Sequence, residues 1–502
     1  MRSIILVLFV ICGLHAATNA QSPANAPKAT PEEIRELKAA VAKDLRNTEA
    51  HKAYLKAAGA DQPEVKQQYD QWIKAHPKMV EIPFSYAEAL YSHELPAAKD
   101  YLLKTVELDP KNGKAWQMLW IDAERWGDFE GGRSYLKKAT EADPSSPDHA
   151  FYYASSFEHV DSAKHHDLML SMPDRFPGSE RGAQALYWLA HRSKDPVVKT
   201  SVYELARKKF DPAKSSWTAG TMTGYYEFLI ERDPVKARSL ADDMLKLDSL
   251  RDIKGWQQRR QIAAALLEGR KLSASGKYAE ALKTLNTAPS LRYSASKTVL
   301  LKEKAKAAAA AGQPAAAYDS LLVQYAVEPT DDVYADMLVY AARNGKDNAA
   351  IQADVWEKRR SAGKPATAFS LDNYLTSGKT SLPDLKGKVV LVTYWFPGCG
   401  PCRGEFPHFE HVVRKFSKDQ LAYIGINIVH EQDPYVVPFM QQSGYSFVPV
   451  RDEPEKRGNL TARGAPTNYL IDRNGNIIFS NFRTDEHNER TLELMITELL
   501  DK

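Results

Sequence analysis

Four prolines recur along the first part of the chain at a nearly constant interval. Pro77, Pro110, Pro144 and Pro177 are 33, 34 and 33 residues apart, and each follows a stretch with apolar residues at helical spacing. Proline lacks a backbone N–H and clashes with the preceding turn, so it favours the end of a helix over its continuation. A repeat of this length is typical of stacked helix pairs. We therefore expect a solenoid of roughly six to eight helix pairs over residues 31–360.

One segment of this region resembles a tetratricopeptide repeat. The residues at the offsets expected of one such pair are Trp116, Leu119, Gly132, Leu136, Ala139 and Pro144. Trp120 departs from the pattern, because a small residue is usual there. We interpret Trp116, Trp120 and Trp126 as packing between helices in preference to a ligand-binding patch, since a repeat cannot bury its core alone. The concave face of the array is the surface on which we expect a protein partner.

The N-terminus has the pattern of a secretory signal peptide. Arg2 precedes an apolar run over residues 4–14, and small residues follow up to Ala20. The run is shorter than the roughly 20 apolar residues of a membrane-spanning helix, so we favour cleavage over an uncleaved anchor. We expect residues 1–20 to be removed and residues 21–30 to form a linker. The mature protein is then exported, to the periplasm, without a membrane span.

Charge and length exclude some classes of function. The 502 residues carry 67 basic and 64 acidic side chains, a net charge of +3, which is too small to indicate binding to nucleic acid or to an acidic membrane. A hydrophobic fraction of 43% is typical of a globular chain, and the length allows more than one core.

The pattern changes near residues 363–365, where helical periodicity gives way to short β-type runs. We predict strands over residues 389–395 and 421–428, a helix over 403–416, a hairpin over 469–479 and a last helix over 490–500. A strand, a helix and a second strand in this order predict a βαβ unit with parallel strands. The fold class is therefore multidomain, an all-α helical-repeat solenoid over residues 31–360 followed by an α/β domain over 364–502.

Two cysteines separated by two residues follow the first predicted strand. Cys399 and Cys402 flank Gly400 and Pro401, and the third cysteine, Cys12, lies in the segment expected to be removed. At a helix start, free N–H groups and the helix dipole favour a thiolate, so we expect the pKa of Cys399 to be depressed. Cys399 is then the nucleophile and Cys402 the resolving thiol. We favour this redox interpretation over a structural disulfide or half of a zinc site, because a second cysteine pair is lacking.

The motifs around the cysteines resemble the thioredoxin fold. They are Trp395, the CGPC motif, Pro407 on the following helix, and Gly464, Ala465, Pro466 and Thr467 before an apolar run. Residues 382–390 and 402–407 are similar to those of the exported thiol-disulfide oxidoreductases of the TlpA/ResA type. The resemblance implies that Pro466 is a cis-proline facing the cysteines and that the backbone of Ala465 pairs with a substrate chain. We assign Gly400, Pro401, Ala465 and Pro466 to substrate binding.

The sequence departs from that family pattern at two positions. Thr393 stands where thioredoxins keep a buried aspartate, and Gly398 stands where a tryptophan is common. Glu405 matches a glutamate that several exported relatives keep near the thiols. It could move protons or raise a thiol pKa, although an ordinary exposed helix charge is an equal alternative.

These observations predict an exported enzyme that exchanges disulfides with protein substrates, with use as a reductase or isomerase favoured. Its partners would be protein thiols and disulfides, a membrane thiol electron donor, and a protein held by the repeats; no cofactor and no metal are expected. His408 and His411 could bind copper or zinc, which we regard as the weaker interpretation. The alternative function is a repeat-based interaction or metal-delivery protein. A peroxidase is disfavoured because Phe396 occupies the position of a needed threonine.

Overall fold

A computed structural model of the protein describes residues 29–291 and 294–501. The expected signal peptide, residues 1–20, and nearly all of the expected linker lie outside the described residues. The chain forms two compact units, which divide between Asp109 and Pro110. Within the described ranges, every helix is too short or too polar to cross a bilayer.

The unit that ends at Asp109 is built of helices in its described part. They are α1 Pro31–Lys43, α2 Thr48–Ala58, α3 Pro63–Ala75, α4 Glu81–Ser92 and α5 Ala98–Leu108. Aromatic rings join neighbouring helices, since Tyr86 stacks on Tyr69 at 4.5 Å and meets Tyr101 edge-on at 4.7 Å. Large rings at each junction supply the apolar area that a single helix pair lacks.

The second unit begins with helices that continue to Ala362. They are α6 Gly113–Trp126, α7 Phe129–Ala142, α8 Pro147–Ser155, α9 Ser162–Arg175, α10 Glu180–Arg192, α11 Pro196–Lys209, α12 Ser216–Arg232, α13 Pro234–Met244, α14 Ile253–Ala274, α15 Tyr278–Asn286, α16 Ala295–Ala310, α17 Pro314–Val327, α18 Asp331–Arg343 and α19 Asn348–Ala362. Pro77, Pro110, Pro144 and Pro177 each lie two residues beyond a helix end, as predicted.

The number of helices exceeds the expectation of six to eight pairs. Nineteen α-helices precede the first strand in the described part of the chain. Beyond Pro177 their lengths vary from the 9 residues of α15 to the 22 of α14, so a fixed period no longer marks them. Irregular helix lengths therefore hid several pairs from the periodicity.

The pair α6 and α7 is fixed by its caps and by residues of the repeat pattern. Gly127 ends α6 in the left-handed region at φ 78°, a conformation that glycine adopts without a Cβ penalty, and Asp128 caps α7. Gly132 faces the Trp120 ring, and a Cβ there would lie in ordinary contact distance, 3.4 Å from the ring. The interpretation of Trp116 and Trp120 as packing residues is confirmed, since they contact Tyr135 and Tyr152 respectively.

The chain from Lys364 onward forms a six-stranded sheet and a two-stranded ribbon. The strands and the helices among them are β1 Lys364–Pro365, β2 Ser370–Asp372, β3 Lys379–Ser381, β4 Val389–Trp395, α20 Gly400–Val413, β5 Leu421–Asn427, α21 Asp433–Ser443, β6 Val448–Arg451, β7 Thr467–Ile471, β8 Asn476–Ser480 and α22 Glu489–Leu500. The sheet order is β1-β8-β7-β4-β5-β6, and β2 pairs with β3. The predicted βαβ unit is confirmed, because β4 and β5 are parallel on either side of α20.

The central strand β4 is buried on both faces. Val389, Leu391 and Trp395 join the core that contains the two cysteines, whereas Val390 and Val392 join the core on the opposite side. Side chains of a strand point alternately to the two faces, so a continuous apolar run must be covered twice. The residues that follow β4 are thus held at the end of a rigid, fully buried element. The α/β domain has the thioredoxin fold.

Within the second unit, the helical repeats pack directly on this α/β domain. The Tyr435 hydroxyl donates to Asp122 at 2.9 Å, and a buried ion pair joins Arg359 on α19 to Glu498 on α22. This packing explains why the compact division falls at Asp109 and not where helix gives way to strand at residue 363. The active-site domain and the repeats from Pro110 onward form one packed unit.

Candidate active site

Cys399 and Cys402 are joined by a disulfide at the start of α20. Their Cα atoms are 5.3 Å apart, and Cys399 is the N-cap residue of the helix. The backbone N–H of Cys402 donates to the Cys399 sulfur at 3.3 Å. The first turn of a helix has N–H groups without intrahelical partners, and sulfur takes one of them here. The same donor would stabilise a thiolate at Cys399 after reduction.

The disulfide is buried beneath an exposed rim. Cys399 is 2% exposed and Cys402 is fully buried. Gly400 and Pro401 are exposed, and space around Gly400 and Gly464 is open for 4 Å beyond the position of a Cβ. A partner chain can therefore approach the cysteines from this side without meeting a side chain at either glycine.

The opposite wall of the disulfide is aromatic core. Trp395 is fully buried and meets Phe406 edge-on at 5.7 Å and Phe447 at 4.8 Å. Both cysteines belong to the same core cluster as these rings, and Ala465 packs against it. The peptide bond between Ala465 and Pro466 is cis, as the family resemblance implied. The loop before β7 therefore lies against the core that holds the cysteine pair.

The space that a side chain at position 398 would take is filled by Gln432. The Gln432 side chain accepts the backbone N–H of Gly398 at 2.6 Å, and a Cβ on Gly398 would lie 2.9 Å from the Gln432 amide nitrogen. Gln432 is 2% exposed. A buried amide in hydrogen-bond contact with the loop thus stands where family members commonly have tryptophan.

Glu405 lies one turn after Cys402, and its side chain is buried. It is therefore not an ordinary exposed helix charge. One carboxylate oxygen accepts the Asn468 amide at 3.0 Å, and the other accepts the Thr484 backbone N–H at 3.2 Å. The Arg483 guanidinium lies 3.2 Å from the latter oxygen and donates to the Pro466 carbonyl at 2.9 Å. Arg483 therefore links the carboxylate to the cis-proline loop.

Burial is the main influence on the pKa of this carboxyl group. Removal from water raises the pKa of Glu405 above its ordinary value of 4.5, although Arg483, Asn468 and Thr484 each oppose the rise. The raised pKa means that the group takes up a proton more readily than an exposed glutamate does. It lies on the same helical face as Cys402, three residues away.

The α/β domain matches proteins of known family. The Redoxin family profile matches residues 361–496. The thioredoxin-like protein YneN of Bacillus subtilis is 31% identical over 136 residues, which cover 26% of this chain and 79% of that protein. The chain belongs to the thioredoxin-like thiol-disulfide oxidoreductases.

Other relatives of this oxidoreductase carry related names. The thiol-disulfide oxidoreductase ResA of Bacillus thuringiensis is 30% identical over 123 residues, covering 24% of this chain and 70% of that protein. A solved thiol:disulfide interchange protein of the thioredoxin family from Chlorobium tepidum is 26% identical and covers 28% of this chain and 97% of its own, with a TM-score of 0.25.

In this oxidoreductase, the neutral residue Thr393 stands at the position where thioredoxins have a buried acid. It is fully buried on β4 and lies opposite Asn468 of β7 in the strand register. Asn468 in turn donates to the buried Glu405 carboxylate on α20. The strand position is therefore neutral, and a buried acid lies on the neighbouring helix.

Several residues of the site were not predicted from the sequence. They are Asn468, Arg483 and Thr484 around Glu405, and Gln432 beside Gly398. A buried glutamate signals that donors must surround it, yet spacing along the chain does not indicate which of many arginines and asparagines supply them.

The two helix histidines contact a glutamate. The Nδ1 atoms of His408 and His411 lie 2.6 and 2.7 Å from the two carboxylate oxygens of Glu489, on α22. These histidines therefore join α20 to α22. Across residues 29–291 and 294–501, no group of three or more His, Cys, Asp or Glu side chains is arranged to hold a metal ion.

The raised pKa of Glu405 predicts a pH-dependent stability difference. The unfolded chain releases this proton near pH 4.5, but the folded protein holds it to higher pH, so ionisation costs the folded state stability as the pH rises. We expect the thermal midpoint of Glu405→Gln, minus that of wild type, to increase from pH 4 to pH 8. Glu357→Gln, which removes a carboxylate from the protein surface, is the control measured beside it. A difference that falls with rising pH would contradict the assignment.

Proposed function

We propose that the protein is an exported reductase of protein disulfides that works through Cys399 and Cys402. The observation that carries this proposal is the disulfide at the N-terminus of α20, buried against aromatic core and reached from an exposed rim. Membership of the thiol-disulfide oxidoreductases supports the chemistry. The Gly-Pro spacer resembles that of thioredoxin, which favours donation of electrons over their uptake from substrate.

The proposed reaction has two exchange steps. In the reduced enzyme, the Cys399 thiolate attacks one sulfur of a substrate disulfide, which forms a mixed disulfide and releases the other substrate sulfur as a thiolate. Cys402, after losing its proton, attacks the Cys399 sulfur, which forms the Cys399–Cys402 disulfide and releases the second substrate thiolate. Two electrons pass from the couple to the substrate disulfide. The one proton that Cys402 loses reaches one released thiolate, and the other thiolate takes its proton from solvent.

The substrate chain would bind at the exposed rim. Gly400 and Pro401 border the disulfide, Ala465 packs against the same core, and Pro466 follows it through a cis peptide bond. An extended substrate segment would pair with the backbone of Ala465 and bring its disulfide over Cys399. The absence of a side chain at Gly400 and the open space around it favour this approach.

Glu405 would accept the proton of Cys402. A buried carboxyl with a raised pKa takes up a proton more readily near neutral pH than an ordinary glutamate. It replaces the acid that Thr393 lacks. Its contact with Arg483, which also donates to Pro466, would connect the proton acceptor to the substrate loop.

Two further parts of the proposal concern the N-terminal segment and the helical repeats. The apolar run of residues 4–14 followed by Ala20 supports export to the periplasm, where a membrane dithiol carrier would return electrons to the enzyme. The repeats would recruit a protein partner. Asp122 and Arg359 of the repeats already contact the α/β domain, so a partner would bind other faces of the repeats.

Reduction of insulin separates this proposal from a binding or metal-delivery function. The mature wild-type protein, supplied with dithiothreitol, should accelerate the precipitation of insulin chains. Cys399→Ser should not exceed the rate with dithiothreitol alone, because the serine hydroxyl cannot form the mixed disulfide. Equal acceleration by both proteins, or by neither, would favour the interaction or metal-delivery function.

A further inference from the structure

Glu124, on repeat helix α6, connects the repeats to the residue beside the second cysteine. One of its carboxylate oxygens accepts the Trp120 indole N–H at 2.7 Å, and the other is paired with the Arg403 guanidinium. Arg403 directly follows Cys402, and its Nη1 donates to the Pro397 carbonyl at 3.1 Å. One guanidinium therefore joins a repeat carboxylate to the loop that leads into Cys399.

This ion pair is largely withdrawn from solvent. The side chain of Arg403 is 19% exposed and that of Glu124 is 21% exposed, so water and salt screen the two charges less than those of a surface pair. Helix α6 is also fixed in place nearby. A Cβ on Gly127 would lie 2.9 Å from the Phe439 carbonyl oxygen, which shows how closely the end of α6 approaches α21.

The indole contact explains why residue 120 departs from the tetratricopeptide pattern. A small residue there would fill the repeat but could not donate to Glu124. Trp120 lies 4.7 Å from the Tyr152 ring and is 5% exposed, so its position is set by the repeat core. The carboxylate of Glu124 is thus oriented by one element of the array and directed at the active-site helix.

Resting on the function proposed above, we propose that Glu124 is a positioning residue of the redox centre, which holds and neutralises the Arg403 cation and so limits the thiolate fraction of Cys399. A cation near a thiol favours the thiolate. Pairing that cation with a carboxylate weakens the effect, because the two charges oppose each other at the sulfur. The repeats would in this way adjust the reactivity of the dithiol in addition to supporting it.

The test is the pH profile of Cys399 alkylation in the full mature chain. Iodoacetamide rates are measured on reduced protein in a Cys402→Ser background, which leaves one thiol in the mature sequence. On the acidic limb, Glu124→Gln should react about three- to tenfold faster and Arg403→Gln more slowly by a similar factor. The double variant should return close to the starting rate. Trp120→Phe, which keeps an aromatic side chain and deletes the indole N–H, should shift the rate in the direction of Glu124→Gln.

A matched control keeps the effect of charge apart from damage to the fold. Glu303 on α16 pairs with Arg270 at 2.7 Å and is 19% exposed, but its partner belongs to another repeat helix, so Glu303→Gln should leave the profile unchanged. Equal rates for Glu124→Gln and Glu303→Gln, or shifts in the same direction for Glu124→Gln and Arg403→Gln, would overturn the proposal. Alkylation needs no protein substrate. Failure of wild-type insulin reduction would therefore contradict the proposed function, while the alkylation rates would still test the role of Glu124.

Discussion

Serine in place of Cys402 is expected to leave Cys399 joined to its substrate as a stable mixed disulfide. The second exchange step needs a thiol next to Cys399, and the Cys402 sulfur is bonded to that sulfur in the oxidised protein. Groups held in such proximity react as if present at about 10⁵ M or more. Without Cys402, only external thiols at millimolar concentration can release the substrate. We expect turnover to fall by about 10³-fold or more.

The measurement is the capture of disulfide-linked adducts from extracts of exported proteins. Cys402→Ser protein should yield disulfide-linked bands that disappear with dithiothreitol and contain the exported substrates. Cys399→Ser and the double serine variant are the matched controls, and both should give none. Adducts of equal yield from Cys399→Ser would mean that Cys402 is the attacking thiol and would contradict the assigned order.

Removal of the Glu498 carboxylate is expected to destabilise the second unit strongly. Arg359 is 4% exposed and Glu498 is 9% exposed, and the Tyr325 hydroxyl also donates to this carboxylate. Glu498→Ala would leave the guanidinium buried with only backbone acceptors, such as the Ala326 carbonyl at 3.0 Å. Breaking a buried ion pair in this way costs about 3–5 kcal/mol. The C-terminal helix α22 would then separate more readily from α19.

The effect is measured as a lowered thermal midpoint of the full chain. Glu357→Ala is the matched control on α19, because Glu357 pairs with Arg360 at the surface, where both side chains are more than 60% exposed. Such a pair contributes about 0.5 kcal/mol or less. A combined Arg359→Met and Glu498→Leu variant should recover much of the lost stability, since an apolar pair replaces the ions. Equal thermal midpoints for Glu498→Ala and Glu357→Ala would show that the buried ion pair does not contribute this stability.

The reaction centre was predictable because its determinants are local. A buried strand, a tight turn and a proline in the first helical turn place Cys399 at a helix start from neighbouring residues alone. The structure confirms the strand as Val389–Trp395, whereas the helix predicted over residues 403–416 begins and ends three residues earlier, at Gly400 and Val413. The first N–H groups of a helix have no partner within the helix, so Gly400 and Pro401, which has no N–H, are suitable first residues. The periodicity of apolar residues cannot detect them.

The surroundings of the centre were not predictable because they depend on contacts between distant segments. Glu405 gave no sign in the sequence of whether it was exposed, and its partners Asn468 and Arg483 come from other elements. Trp120 was correctly interpreted as a packing residue, but the ion pair between Glu124 and Arg403 forms only because helix α6 faces the active-site helix. Local patterns do not encode which face of a solenoid folds back onto a later domain.

The central claim is that Cys399 and Cys402 form a reducing dithiol couple, and an equilibrium redox titration of the mature chain tests it most directly. The fraction of reduced protein is measured by thiol labelling in dithiothreitol buffers of defined ratio. We expect one two-electron transition at a potential nearer to thioredoxin, about −270 mV, than to the oxidant DsbA, about −120 mV. A transition close to the DsbA value, or cysteines that do not equilibrate, would contradict the account.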